Sequence, residues 1–303
     1  MNIYFNIRYE MDRQEVHRAI DRQIAEHRPD YICVTDGVIV NMANRNPEYL
    51  NVVNGGLFSI CDSSYVPLYI RMIHGIRHRQ YCGCQIFRDI VSKQKYRMMF
   101  LGSRRHILDG LRAELAKWNP DVLDMKFIEL PFKEVNDFDY PAIARLIDED
   151  GADIIWVSLG APKQEIFMSK LKPFLRHGIM IAIGAAFKFY SGQGAQRAPD
   201  WMVNYHLEFL YRLGQEPGKQ FRRCFDIVRT LPKMLRSEWH NKNRLKKESP
   251  INPIVNDKTK DETPELIPQI IKEATPDIVS EPAPDYIKIA ANHINPELIE
   301  SDL

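Results

Sequence analysis

A segment containing glycine and proline, residues 158–165 (Ser-Leu-Gly-Ala-Pro-Lys-Gln-Glu), follows an apolar run and carries the clearest chemical signal in the chain. Gly160 permits a tight turn, and Pro162 suits the first turn of a helix. Free backbone N–H groups at such a helix start can hold a diphosphate, and Lys163 adds positive charge there. Gln164 offers both a hydrogen-bond donor and an acceptor. An ordinary strand-to-helix turn explains the same residues, so the segment alone leaves both interpretations open.

A second group of small and basic residues lies further along the chain. Gly184 and the two alanines after it follow another apolar run, and small residues at a strand end let a ligand approach the backbone. Arg197 (in Arg-Ala-Pro-Asp-Trp-Met) and Arg212 (in Leu-Glu-Phe-Leu-Tyr-Arg-Leu) can pair with phosphate oxygens. A core helix with surface arginines is the alternative interpretation.

Apolar runs alternate with helical patterns along the first part of the chain. Strands are predicted at residues 31–34, 57–61, 97–101, 126–130, 154–159 and 179–183, and helices at residues 12–28, 38–54 and 105–118. This alternation predicts an α/β fold with a Rossmann-like, mostly parallel sheet that is covered by helices on both faces. Such sheets bind ligands beyond the carboxyl ends of their strands. The expected site is therefore formed by the loops that contain Thr35, Asp62, Gly102, Gly160 and Gly184.

Charge and composition divide the chain into three predicted regions. Residues 1–195 are expected to form the α/β core. Residues 196–245 are predicted to form a basic amphipathic helical appendage that faces a membrane, because residues 195–247 hold twelve basic and five acidic side chains. Residues 246–303 are expected to be a mostly disordered tail. Residues 248–303 carry twelve acidic side chains against four lysines, and proline is frequent there.

The composition disfavours several classes of protein. Five cysteines, an odd number, fit a reducing compartment better than a disulfide scaffold. No apolar run reaches the roughly 18 residues that span a bilayer, and no signal peptide is recognisable, so a cytoplasmic protein is expected. Asp137-Phe138-Asp139 matches a short metal–diphosphate motif only weakly, and the histidines lack metal-type spacing, so no metal is expected. No recognised module accompanies the basic segment, so no nucleic acid is expected as a partner.

Four blocks resemble, in order and spacing, the WecG/TagA/CpsF family of glycosyltransferases (glycosyltransferase family 26). They are Gly-Ala-Pro-Lys-Gln-Glu, the glycine-small-small-Phe turn at Gly184, Arg-Ala-Pro-x-Trp-Met and Leu-Glu-x-Leu-Tyr-Arg-Leu. The resemblance covers about residues 1–240 and is strongest over residues 150–236. It implies inverting transfer of an N-acetylmannosamine-type or related hexose from a UDP-sugar to a polyprenyl-diphosphate-linked acceptor. The reaction would need no cofactor or metal and would serve cell-surface polysaccharide or teichoic-acid-type biosynthesis.

The resemblance also implies roles for individual residues. Asp62 matches the presumed base of the family, and inversion by single displacement needs one carboxylate to take the acceptor hydroxyl proton. Thr35 matches a threonine that contacts the donor or the acceptor. The strand-end loops and the resemblance together give a predicted substrate-binding set of Gly102, Gly160, Lys163, Gln164, Glu165, Gly184, Arg197 and Arg212. The basic helices are expected to bring the site to the inner face of the cytoplasmic membrane as a peripheral contact, and a homo-oligomer is a further expectation.

Two departures from the family lie close to the expected base. Cys61-Asp62-Ser63 stands where the family usually has Pro-Asp-Gly, and Gly83-Cys84-Gln85 stands where it has Gly-x-Asp. These departures motivate an alternative hypothesis. In that hypothesis the chain is a catalytically altered relative that binds a nucleotide-sugar or a membrane and acts as a scaffold in polysaccharide assembly.

Overall fold

An eight-stranded sheet forms the centre of the computed structural model, which describes residues 2–192, residue 214 and residues 217–245. The strands are β1 (Asn2–Tyr4), β2 (Ile7–Tyr9), β3 (Asp30–Thr35), β4 (Phe58–Cys61), β5 (Met98–Gly102), β6 (Lys126–Ile128), β7 (Ile154–Ser158) and β8 (Ile179–Ala182). Their spatial order is β1-β2-β4-β3-β8-β7-β5-β6. β1 runs antiparallel to β2, and the other neighbouring pairs are parallel. The predicted Rossmann-like, mostly parallel sheet is therefore confirmed.

Helices connect the strands and cover both faces of the sheet. They are α1 (Arg13–Ala25), α2 (Gly37–Arg45), α3 (Pro47–Asn54), α4 (Tyr65–His74), α5 (Gly83–Ser92), α6 (Arg105–Leu115), α7 (Tyr140–Asp150), α8 (Lys163–Leu171), α9 (Ala186–Tyr190) and α10 (Pro217–Leu245). Short 3₁₀ turns occupy Pro120–Asp124, Val135–Asp137 and Lys172–Phe174. In the described part of the chain, none of these helices combines the length and the apolar content that crossing a bilayer requires.

The core consists of two apolar layers, one on each face of the sheet. On the first face, α2, α3, α4, α7 and α8 pack against strand residues such as Ile155 and Val157. On the second face, α1, α5, α6 and α9 pack against strand residues such as Ile154 and Trp156. Because the central strands are buried on both faces, their sequences are continuous apolar runs. That pattern is why residues 154–159 and 179–183 were recognisable as strands.

Two local features differ from the sequence-based expectation. The helix predicted over residues 38–54 is two helices, because Pro47 starts α3 and the side chain of Asn46 caps it by accepting from the Tyr49 N–H at 2.9 Å. The edge hairpin β1–β2 was not predicted. Its turn places Phe5 and Asn6 at φ of 50° and 62°, and a positive φ is unusual for phenylalanine.

The long helix α10 packs against the first face. Met234 and Leu235 pack against the apolar layer of that face. The buried Glu238 carboxylate accepts from the Phe5 N–H at 2.7 Å and lies 2.8 Å from Nε2 of His74 in α4. Part of the predicted appendage is therefore docked on the core. The rest of it (residues 193–213, 215 and 216) and the predicted tail (residues 246–303) lie outside the described residues.

Candidate active site

At the carboxyl end of the sheet, neighbouring central strands send the chain to opposite faces. β3 and β7 lead into α2 and α8 on the first face, whereas β5 and β8 lead into α6 and α9 on the second. In the sheet, β8 lies between β3 and β7. Ligands of open α/β sheets bind where the connections diverge in this way. The topology therefore indicates a candidate binding site over the ends of β3, β8 and β7.

Asp62 follows β4 at this end of the sheet and is partly exposed. Its N–H donates to the carbonyl oxygen of Thr35 at 3.0 Å, which extends the β3–β4 ladder by one residue. Its Oδ1 accepts from the N–H of Gly83, the first residue of α5, at 2.8 Å. The start of a helix carries partial positive charge, so this contact stabilises the carboxylate as an anion. Gln80 donates from Nε2 to the Asp62 carbonyl oxygen at 2.5 Å.

The residues that flank Asp62 have structural partners of their own. Cys61 is buried, its thiol donates to the Ser63 carbonyl oxygen at 3.3 Å, and burial raises its pKa to about 12. Ser63 Oγ accepts from the N–H groups of Tyr65 and Val66 at the start of α4. The Cys-Asp-Ser sequence thus builds an ordered turn that presents Asp62. The replacement of Pro-Asp-Gly has not removed the acid from the edge of the sheet.

Gln85 occupies the position at which the family has a carboxylate, and it acts within its own helix. Its Oε1 accepts from the Cys82 N–H at 3.0 Å, which caps the start of α5. The same helix start supplies the Gly83 N–H to Asp62. The departure at Gln85 therefore stabilises the helix end that holds Asp62.

Thr35, at the end of β3, is fully buried. Its hydroxyl lies 3.0 Å from the Tyr9 hydroxyl and 3.2 Å from the Ile60 carbonyl oxygen. In this position the hydroxyl links β3 to β2 and β4 beneath Asp62 and has no surface for a ligand. Contact with a substrate, as the family resemblance implies, stays a prediction, whereas the carbonyl oxygen of Thr35 already positions Asp62.

Gln164 joins the loops that follow β7 and β8. Its Oε1 accepts from the Gly160 N–H at 3.2 Å, and a side chain placed on Gly184 would come within about 4 Å of its amide, at 3.8 Å and 3.9 Å. Ser158 strengthens the same junction, since its hydroxyl donates to the Gly184 carbonyl oxygen at 2.6 Å. The structure thus brings together Gly160, Gln164 and Gly184, which follow the ends of two neighbouring strands.

Glu165 lies behind Gln164 and is fully buried. Its carboxyl group accepts from Gln164 Nε2 at 2.8 Å and from the Tyr49 hydroxyl at 3.1 Å. Burial raises its pKa to about 7, although these hydrogen bonds act in the opposite direction. Glu165 therefore fixes the Gln164 amide by accepting its hydrogen bond from inside the core, and its own carboxyl group has no exposed surface.

Gly102 and Lys163 lie toward the β5–β6 side of the same edge. Gly102 has φ of 98°, and a Cβ there would lie 2.4 Å from the Ser158 carbonyl oxygen, so glycine is required by the close approach of β5 to β7. Lys163 donates from Nζ to the Lys133 carbonyl oxygen, and its ammonium lies 5.1 Å from the centre of the Phe132 ring. Burial lowers the pKa of Lys163 from its ordinary value. Its predicted contact with a diphosphate stays untested.

The remaining predicted positions divide between the described and undescribed parts of the chain. Arg197 and Arg212 lie outside the described residues. Asp139, the second acid of the weak metal motif, caps α7 by accepting from the Ala142 N–H at 2.9 Å. Among the described residues, no group of three His, Cys, Asp or Glu side chains is arranged to hold a metal ion.

Gly83 connects the Asp62 side of the edge to the β8 side. A Cβ at this position would lie 3.1 Å from Val34, 3.8 Å from Asp62 Oδ1 and 4.0 Å from the Ile183 carbonyl oxygen. Ile183 directly precedes Gly184, which lies against Gln164. An uninterrupted series of contacts therefore runs from Asp62 through the start of α5 to the loops after β8 and β7.

Three contributors to this site were not predicted from the sequence: Gly83, Gln80 and Tyr49. The sequence analysis names Gly83 only as part of Gly83-Cys84-Gln85, in which Gln85 replaces the aspartate of the family's Gly-x-Asp. A glycine-containing helix start shortly after a candidate base is a usable signal for Gly83. No local pattern marks Gln80, and Tyr49 lies 116 residues from its partner Glu165.

The sequence is similar to those of known glycosyltransferases. Residues 3–244 match the model of the Glycosyl transferase WecG/TagA/CpsF family. The N-acetylglucosaminyldiphosphoundecaprenol N-acetyl-beta-D-mannosaminyltransferase of Bacillus subtilis is 23% identical over 223 residues, which cover 70% of this chain and 84% of that protein. The protein of the same name from Bacillus spizizenii is 25% identical over 199 residues, 65% of this chain and 75% of that protein. The chain therefore belongs to the WecG/TagA/CpsF family and is a glycosyltransferase.

Proposed function

We propose that the chain transfers an N-acetylmannosamine-type sugar, or a related hexose, from a UDP-sugar to a polyprenyl-diphosphate-linked acceptor, with inversion at the anomeric carbon. The family match and the names of the two Bacillus relatives support the reaction class and the kind of acceptor. The observation that carries the proposal is the position of Asp62, a partly exposed carboxylate held at the carboxyl end of the sheet by the start of α5.

In the proposed reaction, Asp62 acts as the general base. The acceptor hydroxyl transfers its proton to the Asp62 carboxylate while its oxygen forms a bond to the anomeric carbon. The bond from that carbon to the diphosphate oxygen breaks on the opposite side, and UDP departs with the electron pair. A carboxylate has about four acceptor sites, so its hydrogen bond to Gly83 is compatible with binding the incoming hydroxyl.

The donor would lie over the carboxyl ends of β8 and β7. Gly160 and Gly184 leave the backbone accessible there, and the Gln164 amide is fixed between them. The start of α8 would place backbone N–H groups near the diphosphate. Arg197 and Arg212 are proposed to compensate the charge of the departing UDP. No metal is part of this proposal, so turnover is expected to be unchanged by EDTA.

The decisive experiment measures UDP release from a panel of UDP-sugars, with and without a short-chain polyprenyl-diphosphate-sugar acceptor in detergent solution. Release that depends on the acceptor and survives EDTA supports the proposal. Tight UDP-sugar binding without release from any donor would instead favour the scaffold hypothesis. Release that requires an added divalent metal would contradict the metal-free reaction and direct attention to acids outside Asp62.

A further inference from the structure

The segment between Asp62 and Gly83 forms an excursion that starts and ends at the proposed base. The chain leaves Asp62, forms α4, turns at Gly75 and returns to the carboxyl end of the sheet. On its return, Gln80 donates to the Asp62 carbonyl oxygen and Gly83 donates to its carboxylate. A partner bound to the outer surface of this excursion would therefore contact a segment that is hydrogen-bonded to the proposed base.

The outer surface of α4 is apolar, although it faces solvent. Leu68 and Met72 are one helical turn apart and are 45% and 68% exposed. Ile76, just beyond the end of the helix, is also exposed. The opposite side of α4 is occupied by Val66, Ile70 and Ile73, which are buried in the core. Single exposed apolar residues are common, but a row of three on one excursion indicates a surface that contacts something.

Arginines are interleaved with these apolar residues. Arg71, Arg77 and Arg79 are all exposed, and none of them forms an ion pair within the described residues. Residues 63–88 contain four arginines, two histidines and no acidic residue. The acids that act on this segment do so away from the three arginines: Asp62 accepts from the Gly83 N–H, Asp89 accepts from the Tyr81 hydroxyl, Glu238 is buried against His74, and Glu10 acts on His78. The outer surface is therefore positively charged.

Helix α10 extends this surface and fixes its orientation. Glu238 ties α10 to His74 and to the Phe5 N–H, and Lys242 donates to the Ile73 carbonyl oxygen at the end of α4. The Lys242 ammonium also lies 5.3 Å from the centre of the Trp239 ring, which is half exposed. Tryptophan and basic residues at the border of an apolar surface are typical of proteins that bind at the lipid–water interface.

We propose that the outer surface of this excursion, formed by Leu68, Arg71, Met72, Ile76, Arg77 and Arg79 and called here the α4 surface, docks on an anionic lipid bilayer. The apolar side chains would enter the headgroup region, and the arginines would bind lipid phosphates. This inference rests on the proposed function, because a lipid-linked acceptor requires the active site to lie close to a membrane. It differs from the expectation that the basic C-terminal helices alone supply the contact.

Docking through the α4 surface would bring Asp62 close to the bilayer. A helix of ten residues is about 15 Å long, and α4 starts three residues after Asp62. With Leu68 and Met72 at the headgroups, Asp62 would lie within roughly that distance of the bilayer surface. The diphosphate of a lipid-linked acceptor lies at the same level, so the acceptor sugar needs to extend only a short way to reach Asp62.

Co-sedimentation of the full chain with vesicles tests the proposal. Phosphatidylcholine vesicles with phosphatidylglycerol should bind the protein, and pure phosphatidylcholine vesicles should bind it weakly. Leu68→Gln/Met72→Gln should lower the bound-to-free ratio at least about tenfold. Arg71→Gln/Arg77→Gln/Arg79→Gln should lower it by about fivefold per arginine, the equivalent of about 1 kcal/mol each. All substituted side chains are exposed, and unchanged melting temperatures would show that the variants are folded.

Two matched controls sharpen the test. Leu123→Gln/Phe174→Gln removes two apolar side chains of similar exposure, 56% and 48%, outside the α4 surface and should leave vesicle binding unchanged. Arg229→Gln/Lys233→Gln/Arg236→Gln removes exposed charge from α10. If the α10 variant abolishes binding while both α4 variants bind like the wild type, the α4 surface is not the docking site.

The remaining outcomes separate this inference from the proposed function and from self-association. Turnover of the α4 variants should fall on an acceptor embedded in vesicles and stay normal on the short-chain acceptor in detergent. A wild-type protein that binds vesicles but releases no UDP in detergent would overturn the proposed function alone. If Leu68→Gln/Met72→Gln instead converts an oligomer to a monomer in sedimentation velocity and leaves vesicle binding intact, the α4 surface contacts a second copy, and the inference is wrong.

Discussion

Two carboxyl groups at the same edge of the sheet are held in opposite ways. Asp62 is partly exposed and accepts from a backbone N–H at the start of α5. Glu165 is fully buried, accepts from the Tyr49 hydroxyl and the Gln164 amide, and has its pKa raised to about 7 by burial. The first environment favours the charged form of a carboxyl group, and the second disfavours it.

The difference assigns the two acids to different tasks. A base that takes a proton from an acceptor hydroxyl must be within reach of that hydroxyl, and of the two acids only Asp62 is partly exposed. Glu165 cannot be reached, but it fixes the amide of Gln164, whose Oε1 lies against the loop at Gly160. We therefore assign Glu165 the task of positioning Gln164, whereas the sequence analysis had predicted direct binding of a substrate.

The largest expected effect comes from removing the charge of Asp62. Asp62→Asn should lower kcat by about 10²–10⁴-fold, the usual contribution of a general base, while UDP-sugar binding changes little. Steady-state UDP release and calorimetric UDP-sugar binding would check this. An equal loss of binding would place Asp62 in the donor pocket instead.

Asp139→Asn is the matched control for this prediction. Asp139 also holds a helix start, through the Ala142 N–H, but it lies on the β6 side of the sheet, away from the series of contacts around Asp62. Its replacement should cost about 1 kcal/mol of stability at most and leave kcat unchanged. A loss of kcat similar to that of Asp62→Asn would indicate that the Asp137-Phe138-Asp139 sequence takes part in the reaction.

The next effect concerns the buried acid and appears in stability. The folded protein holds the Glu165 proton up to about pH 7, whereas the unfolded chain releases it near pH 4.5. The free energy of unfolding contributed by this group is therefore fully present below pH 4.5. It is lost as pH rises to about 7, by about 3 kcal/mol. Glu165→Gln cannot ionise, so its stability relative to wild type should rise by that amount over the same range.

Urea unfolding of both proteins at pH 4.5 and above pH 7 would measure this difference. Subtracting the free energy of unfolding of the variant from that of the wild type at each pH removes the contributions of the other titrating groups. Tyr49→Phe provides a second readout, because the Tyr49 hydroxyl donates to Glu165 and favours its charged form. Without that donor, the loss of stability should extend to higher pH. Parallel stability curves for wild type and Glu165→Gln would show that Glu165 is not buried in solution.

The sequence predicts the strand ends that surround the site better than it predicts the contacts between distant residues there. Doubly buried strands such as β7 and β8 are continuous apolar runs, so their ends, and hence Gly160 and Gly184, could be located. The family resemblance then indicated Asp62 as the candidate base. The Gly83 contact depends on the chain returning 21 residues later, and the burial of Glu165 depends on Tyr49, 116 residues away. Such contacts arise from packing between distant segments, which no local pattern records.

The hairpin β1–β2 shows the same limit at the other end of the sheet. Its residues Phe5 and Asn6 adopt positive φ, and phenylalanine gives no local signal for such a turn. The turn is stabilised from outside, because Phe5 is buried and its N–H donates to Glu238 of α10 at 2.7 Å. An element at the start of the chain is thus stabilised by a helix more than 200 residues later, since the partners are 233 residues apart.

The smallest expected effect concerns the hydrogen bond beneath Asp62. The Thr35 hydroxyl is fully buried and lies 3.0 Å from the Tyr9 hydroxyl. Burial raises the pKa of Tyr9, which favours the protonated hydroxyl. Thr35→Val and Tyr9→Phe should each lower the free energy of unfolding by about 1–2 kcal/mol, because each leaves a buried polar partner without its hydrogen bond. The double variant removes both partners at once. It should therefore lose less than the sum, by about 1 kcal/mol, in a double-mutant cycle measured by urea unfolding. Additive losses would mean that the two hydroxyls do not interact.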